Sequence, residues 1–535
     1  MNFGRREKIG LGFFLLCYLT AVYWVWTRSS PLIRERPVTI RIAHWQIEAG
    51  PPDGIDAIIR RYEALHPRVK VEQQLIPGIV YKQWLRSNLA GGTGADIIEW
   101  GPWIEGVRDV PARYFEPITA ALALPNPYNG GTPLEGVPWQ QTFKDGLGGQ
   151  RTDSPDPGEI FGVTLCEVSV RLFCNRELLR EVTGSTRIPQ TFDDMRRIFG
   201  QLDAYNLRSG RQPVMALAGA KDNNEWLQEY LLMGVTMGLN FTLDDPGSLF
   251  LANRQILAAY LEGRWNFRRP EVKAGFELMR EIGRHMKPGF QQLSRDEATR
   301  EFMHGDALFI FTGTWDATSL RRLASFTIDA LRFPQPTKDD PVVGRYTIGR
   351  FADGGGVTAM AMHLNKASPH KAETLDFMRF MTSMQGSQLF TDGSGWLPAT
   401  LGVKIPPEIV SFLSPQDGYA LCQPYSIIGS NATMQFSRNM HLLTGEHGSV
   451  DKFTAALDEV MPEAVRSDLQ SELRSLLMTI RTQDGRTIAH AQLSGAAVAG
   501  RNHAVLREVM ECGETISEAT ALQMRCQLEQ TAPTK

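Results

Sequence analysis

Three tryptophans stand where a folded chain can use them on a ligand. Trp45 follows the alternating, β-rich stretch Val38 to Ala43, Trp100 closes the short run Asp96 to Trp100, and Trp315 follows Ala307 to Phe311 through Gly313. An indole just past a strand end either covers the apolar face of a bound molecule or fills the core beneath the strand, and both readings stay open for all three. Trp315 also adjoins a helix start at Asp316, whose unpaired N–H groups and positive end would face whatever lies in a cleft. The chemistry indicated is binding. The chain has no G-x-S-x-G elbow and no H-E-x-x-H, and Gly91-Gly92-Thr93-Gly94 lacks the lysine of a P-loop. Dispersed acids could still pair in space as a glycosidase does, so a carbohydrate-active enzyme remains a rival class. Cys17, Cys166, Cys174, Cys422, Cys512 and Cys526 are too sparse for a disulfide framework and lack zinc-ligand spacing, so neither a metal nor a cofactor is expected.

The elements that must position these residues read as α/β. Val38 to Ala43 is a strand, Ile55, Ile58, Ile59, Tyr62 and Leu65 recur at helical spacing behind Asp53 as a cap, and His66-Pro67 ends that helix. Val69 to Leu75, Tyr81 to Ala90 and Asp96 to Trp100 then give strand, helix and strand. This βαβαβ order requires a parallel sheet, whose ligands gather beyond the carboxyl ends of the strands. Further on, Val168 to Phe173 is a β-like run, and Thr191 with Asp194 opens a helix to Leu202. Gly354 to Gly356 precede a strand to Met362, and Pro369 to Thr382 is helical. At 535 residues, with 42% hydrophobic and 21% charged, the chain is long enough for several cores. Its 56 basic and 59 acidic residues give a net charge of -3, which argues against nucleic acid as partner.

The two ends differ from the middle. Arg5, Arg6 and Lys8 precede the uncharged run Ile9 to Trp26, so residues 1–30 read as an uncleaved signal anchor, a transmembrane helix leaving the bulk outside the cytoplasm. Residues 461–535 form a helical extension: Val465, Leu469, Leu473, Leu476, Leu477 and Ile480 share one face, and a second helix through Val505 and Met510 ends near Gly513. Residues 494–500 between them read as a linker.

Several ordered motifs between residues 38 and 460 resemble one known family. They are Tyr62-Glu63-Ala64-Leu65-His66-Pro67, Gly94-Ala95-Asp96, Asn175-Arg176-Glu177-Leu178-Leu179, Pro189-Gln190-Thr191-Phe192-Asp193, His304-Gly305-Asp306-Ala307 and Leu397-Pro398-Ala399. Their order resembles the extracytoplasmic solute-binding proteins of bacterial ABC importers, in the sugar-binding group that includes maltose-binding protein. One departure is Cys174-Asn175, where the family usually has Tyr-Asn. The resemblance implies a two-lobed periplasmic-binding-protein fold with a hinge and an interlobe cleft. It implies a sugar or oligosaccharide as ligand and ABC permease subunits as partners, with a membrane-tethered sensor or scaffold as the alternative. The implied ligand-binding residues are Trp45, Glu99, Trp100 and Trp103 on the first lobe and Glu167 at the crossover. Trp226, Trp315, Asp316 and Trp396 are implied on the second-lobe side, with Gly355 allowing close backbone approach. Each of these tryptophans has a plain core role as its alternative.

Overall fold

The computed structural model of the chain describes residues 18–20, 23, 38–101, 104, 110–152, 159–210, 212–243, 251–350, 357–414, 418, 429–493 and 501–532. β1 (Val38–His44), α1 (Pro51–Leu65), β2 (Val69–Leu75), α2 (Gly78–Ala90) and β3 (Ile97–Glu99) follow the expected order. β1 lies between β2 and β3 and runs parallel to both. The first helix starts before the expected Asp53 cap. Pro51 and Pro52 occupy its first two positions, where a missing N–H costs nothing. Gly50 precedes them at φ 118, with the place of a Cβ only 2.4 Å from the Ser394 carbonyl oxygen, so no other residue fits.

β4 (Gly162–Val168) and β5 (Val170–Asn175) are separated by Ser169 alone. The run Val168 to Phe173, read as one strand, is therefore split between two sheets. The capping box Thr191–Asp194 forms as expected, and α3 (Phe192–Ser209) continues past Leu202 to a left-handed Gly210. Then come β6 (Met215–Ala218), α4 (Lys221–Leu243), α5 (Arg295–His304), β7 (Ala307–Gly313), α6 (Ala317–Leu323) and β8 (Ile328–Leu331). β9 (Val357–Leu364), α7 (Lys371–Met381), α8 (Met384–Ser394) and β10 (Leu397–Pro398) lead to α9 (Val450–Leu493) and α10 (Arg501–Gln530).

The strands form two sheets, ordered β10-β4-β9-β3-β1-β2 and β6-β7-β5-β8, one for each lobe. Both are covered on both faces. In lobe one, Ile40, Ile42 and Ile97 pack with Ile55, Ile58, Phe377 and Phe390 on one side. Ala43 and Ile98 pack with Tyr81, Leu85 and Leu89 on the other. In lobe two every residue of β7 is buried, as expected of a central strand whose two faces are both dry.

The chain passes between lobes at Ser169, again between β8 and β9, and again from β10 to Val410–Leu413. Buried polar groups tie these passages together. The Ser169 N–H donates to Thr314 Oγ1 (3.1 Å) and its hydroxyl to the Phe412 carbonyl (2.8 Å), while the Thr314 N–H donates to the Ser169 carbonyl (2.8 Å). Arg171 is fully buried and donates to the carbonyls of Val170, Ser411, Phe412 and Leu413 at 2.6–3.0 Å.

The expected division at 460/461 falls inside α9. Phe453, Leu457, Met461, Val465 and Leu469 of that helix, and Met524 of α10, belong to the core of lobe two, with Leu473 and Leu476 packed beside it. α10 does not stop near Gly513 but runs on to Gln530, since one helical glycine costs only about 1 kcal/mol. Residues 494–500 lie outside the described residues. So does the expected anchor at 1–30, apart from Tyr18–Thr20 and Tyr23, which are helical. Among the described residues no helix is long and apolar enough to cross a membrane.

Candidate ligand-binding site

Two of the expected tryptophans, Trp45 and Trp315, remain half-buried. Each is held from below. The Trp45 N–H donates to Glu99 Oε2 (3.2 Å), Gln46 Nε2 donates to Glu99 Oε1 (2.7 Å), and the Trp45 ring meets Tyr81 edge-on at 4.9 Å. Tyr81 in turn donates its hydroxyl to the Glu99 carbonyl (2.6 Å) and lies 5.5 Å from Trp84. Glu99 is therefore a brace under the loop that carries Trp45. It is fully buried, and burial lifts its carboxyl from 4.5 to about 8, against the pull of the Gln46 and Trp45 hydrogen bonds, so it is neutral at pH 7.

Trp315 lies on a short 3-10 turn between β7 and α6. Its indole covers Gly313: a Cβ there would come within 2.2 Å of three ring atoms. The adjacent Asp316 accepts from Thr312 Oγ1 (2.6 Å) and lies 3.7 Å from Arg295 Nη2. Burial raises the Asp316 carboxyl above the usual range, with Arg295 and Thr312 opposing it. Although Trp315 is carried by lobe two, it packs against the core of lobe one.

The segments bearing these two tryptophans meet across the cleft. Arg295 Nη2 of lobe two lies 3.3 Å from Glu48 Oε1, three residues past Trp45. The Ala49 N–H donates to Ser319 Oγ (3.2 Å), and Arg322 Nη1 lies 2.9 Å from Asp53 Oδ2. Glu48 Oε2 is buried with no hydrogen-bond partner among the described residues, which leaves an acceptor for a ligand hydroxyl. Glu48 and Arg295 are not among the residues that the sequence singles out. Glu48 carried one signal, its place in the same strand-end loop as Trp45, whereas Arg295 carried none.

Trp100 is 2% exposed, edge-on to His363 at 5.6 Å, and Trp396 is 1% exposed beside Phe390, so both rings are covered by protein. Glu167 accepts from Lys144 Nζ (2.7 Å) at the hinge end of β4. Trp226 is carried by α4, its side chain outside the described residues, as are Trp103 and Gly355.

Residues 57–411 match the family of bacterial extracellular solute-binding proteins. The chain belongs to that family. The match ends before α9 and α10. Among solved structures, a chitin oligosaccharide binding protein is similar at 14% identity and TM-score 0.54, over 80% of this chain and 99% of that one. RafE in complex with raffinose is similar at 16% identity and TM-score 0.53, over 79% and 99%. The GacH receptor of Streptomyces glaucescens, solved unliganded and with acarbose, is similar at 16% identity and TM-score 0.54, over 80% and 98%. At these identities the likeness is one of fold. No curated protein sequence matches the chain. Membership of this family makes the protein an extracytoplasmic solute-binding protein.

Proposed function

We propose that the solute is a carbohydrate, held between the lobes by Trp45 and Trp315 and presented to the permease subunits of an ABC-type importer. The observation that carries this reading is the contact between two loops, one from each lobe and each bearing a half-buried indole, through Glu48 with Arg295, Arg295 with Asp316 and Ala49 with Ser319. An indole face covers the CH side of a sugar ring, and planar carboxylate and guanidinium groups pair with its hydroxyls. A ligand that touches both lobes binds the closed form better than the open one, and this difference in affinity is what favours closure. The similar proteins named with chitin oligosaccharide, raffinose and acarbose support this ligand class. Residues 1–30 hold the protein on the outer face of the cytoplasmic membrane, within reach of the permease.

The test is calorimetric titration of the full-length protein in detergent with maltose, raffinose, galactose and chitin oligosaccharides, each followed by a thermal melt. At least one should bind saturably and, at a hundredfold excess over Kd, stabilise the fold by about 2.7 kcal/mol. Absence of heat and of stabilisation across such a panel would overturn the carbohydrate reading.

A further inference from the structure

A cavity of about 750 Å³ lies in lobe two beside the hinge. Its walls are β8 (Ala330, Leu331), the loop before α3 (Ile188, Pro189, Gln190), the stretch after β8 that runs over lobe two (Arg332, Phe333 and 335–338), and Val410, Ser411 and Leu413 of the last passage between lobes. It is distinct from the region where the loops of Trp45 and Trp315 meet, for none of Glu48, Ala49, Arg295, Asp316 and Ser319 lines it. The volume lies within the roughly 300–1,000 Å³ range of small-molecule pockets.

Its charge is one-sided. Arg332, Lys338 and Arg350 contribute to the lining, and no Asp or Glu does. Asp340, two residues past Lys338, is turned into the protein, with Oδ2 on Arg196 Nη1 (2.7 Å) and Oδ1 accepting from the Val342 and Val343 N–H groups (2.9 Å each). Arg332 Nη1 is buried and has no acceptor among the described residues. A guanidinium N–H held away from water without an acceptor costs free energy unless something supplies one. Gln190, Gln335 and Ser411 add neutral polar groups, while Pro189, Leu331, Phe333, Pro336 and Val410 give an apolar floor.

We infer that this cavity binds a small organic anion, with a phosphate or carboxylate group on Arg332 and Lys338 and a compact body against Pro189, Leu331 and Val410. An oxyanion matches the fork of an arginine and the point charge of a lysine. The apolar floor selects a ligand with a carbon body over a bare inorganic ion.

The test titrates the full-length protein in detergent, at about 50 mM salt so that screening does not mask the contact. The probes are citrate, glucose 6-phosphate, inorganic phosphate and glucose. Citrate or glucose 6-phosphate should bind saturably, more tightly than inorganic phosphate, and the two arms distinguish carboxylate from phosphate. The double variant Arg332→Gln with Lys338→Gln should weaken that binding about tenfold or more. Lys338→Gln alone, at an exposed position, should weaken it in part while leaving the melt unchanged. No binding by either organic anion, or equal binding to wild type and to Lys338→Gln, would overturn the inference. Trp315→Ala keeps the two sites apart: it should leave citrate binding intact whether or not any sugar binds the cleft.

Discussion

The hinge and the cleft rim both join the lobes, but by different physical means. At the hinge, Arg171 is fully buried and its guanidinium reaches four main-chain carbonyls. At the rim, Arg322 and Asp53 have about half of their side-chain surface in water, Arg295 about a third and Glu48 about a fifth. An exposed ion pair is worth about 0–1 kcal/mol, because water serves each partner nearly as well. A buried donor set has no such substitute. The hinge is therefore a permanent fastening and the rim a reversible one, as a protein that opens and closes on a ligand requires.

Of the contacts that join the lobes, the hinge should show the largest effect. Arg171→Met strips donors from the Ser411, Phe412 and Leu413 carbonyls and should cost roughly 3 kcal/mol or more in a denaturant melt. A loss below about 1 kcal/mol would erase the distinction between the two contacts. Next is Glu99, whose carboxyl is raised from 4.5 to about 8 in the folded protein. Between those values the folded state holds a proton that the unfolded state has lost. The resulting stabilisation is complete below pH 4.5 and fades as pH rises through about 8. Glu99→Gln should remove this slope, gaining on wild type by a few kcal/mol between pH 5 and pH 9. His44 and His363, both lowered to about 4 by burial, act in the opposite sense below pH 6.5 and cancel in the comparison. A difference that does not change with pH would remove Glu99 as a buried neutral brace.

Trp315→Ala should weaken sugar binding tenfold or more, as loss of a stacking platform and its buried area requires. Trp396→Ala, in the core, should instead cost about 3–5 kcal/mol of stability with little change in intrinsic affinity. Gly313→Ala sharpens the contrast, since the indole is retained but pushed off its seat. The reverse pattern for Trp315 and Trp396 would exchange their roles. The smallest effect belongs to the rim: Arg295→Gln with Arg322→Gln should change stability by no more than about 1 kcal/mol per pair. A loss matching that of Arg171→Met would make the rim a second hinge.

The βαβαβ order of lobe one was legible because its strands alternate and its helices keep a long apolar period, as did the Thr191–Asp194 start of α3. The break at Ser169 was not, because all of Val168 to Phe173 but Val170 is buried and a run buried on both faces loses its period. Trp45 and Trp100 looked alike, each just past a strand. Parity does not separate them, since both rings lie on the α2 side with Ala43 and Ile98; cover does, Trp100 being enclosed beside His363 while Trp45 stays half-buried on the loop that Glu99 braces. Glu48 and Arg295 meet although 247 residues apart, and nothing local in either segment announces the contact. The glycine at 313 has its reason only in the structure, where the seated Trp315 indole leaves no room for a Cβ.

The central claim, that one sugar touches both lobes at once, is tested most directly by hydrogen exchange on the full-length protein, with and without the tightest sugar of the panel. Residues 44–50 and 312–319 should gain protection together, at the same sugar concentration, while the strands of both sheets stay unchanged. Protection confined to one of these segments, or found only elsewhere while the sugar is bound, would contradict the account.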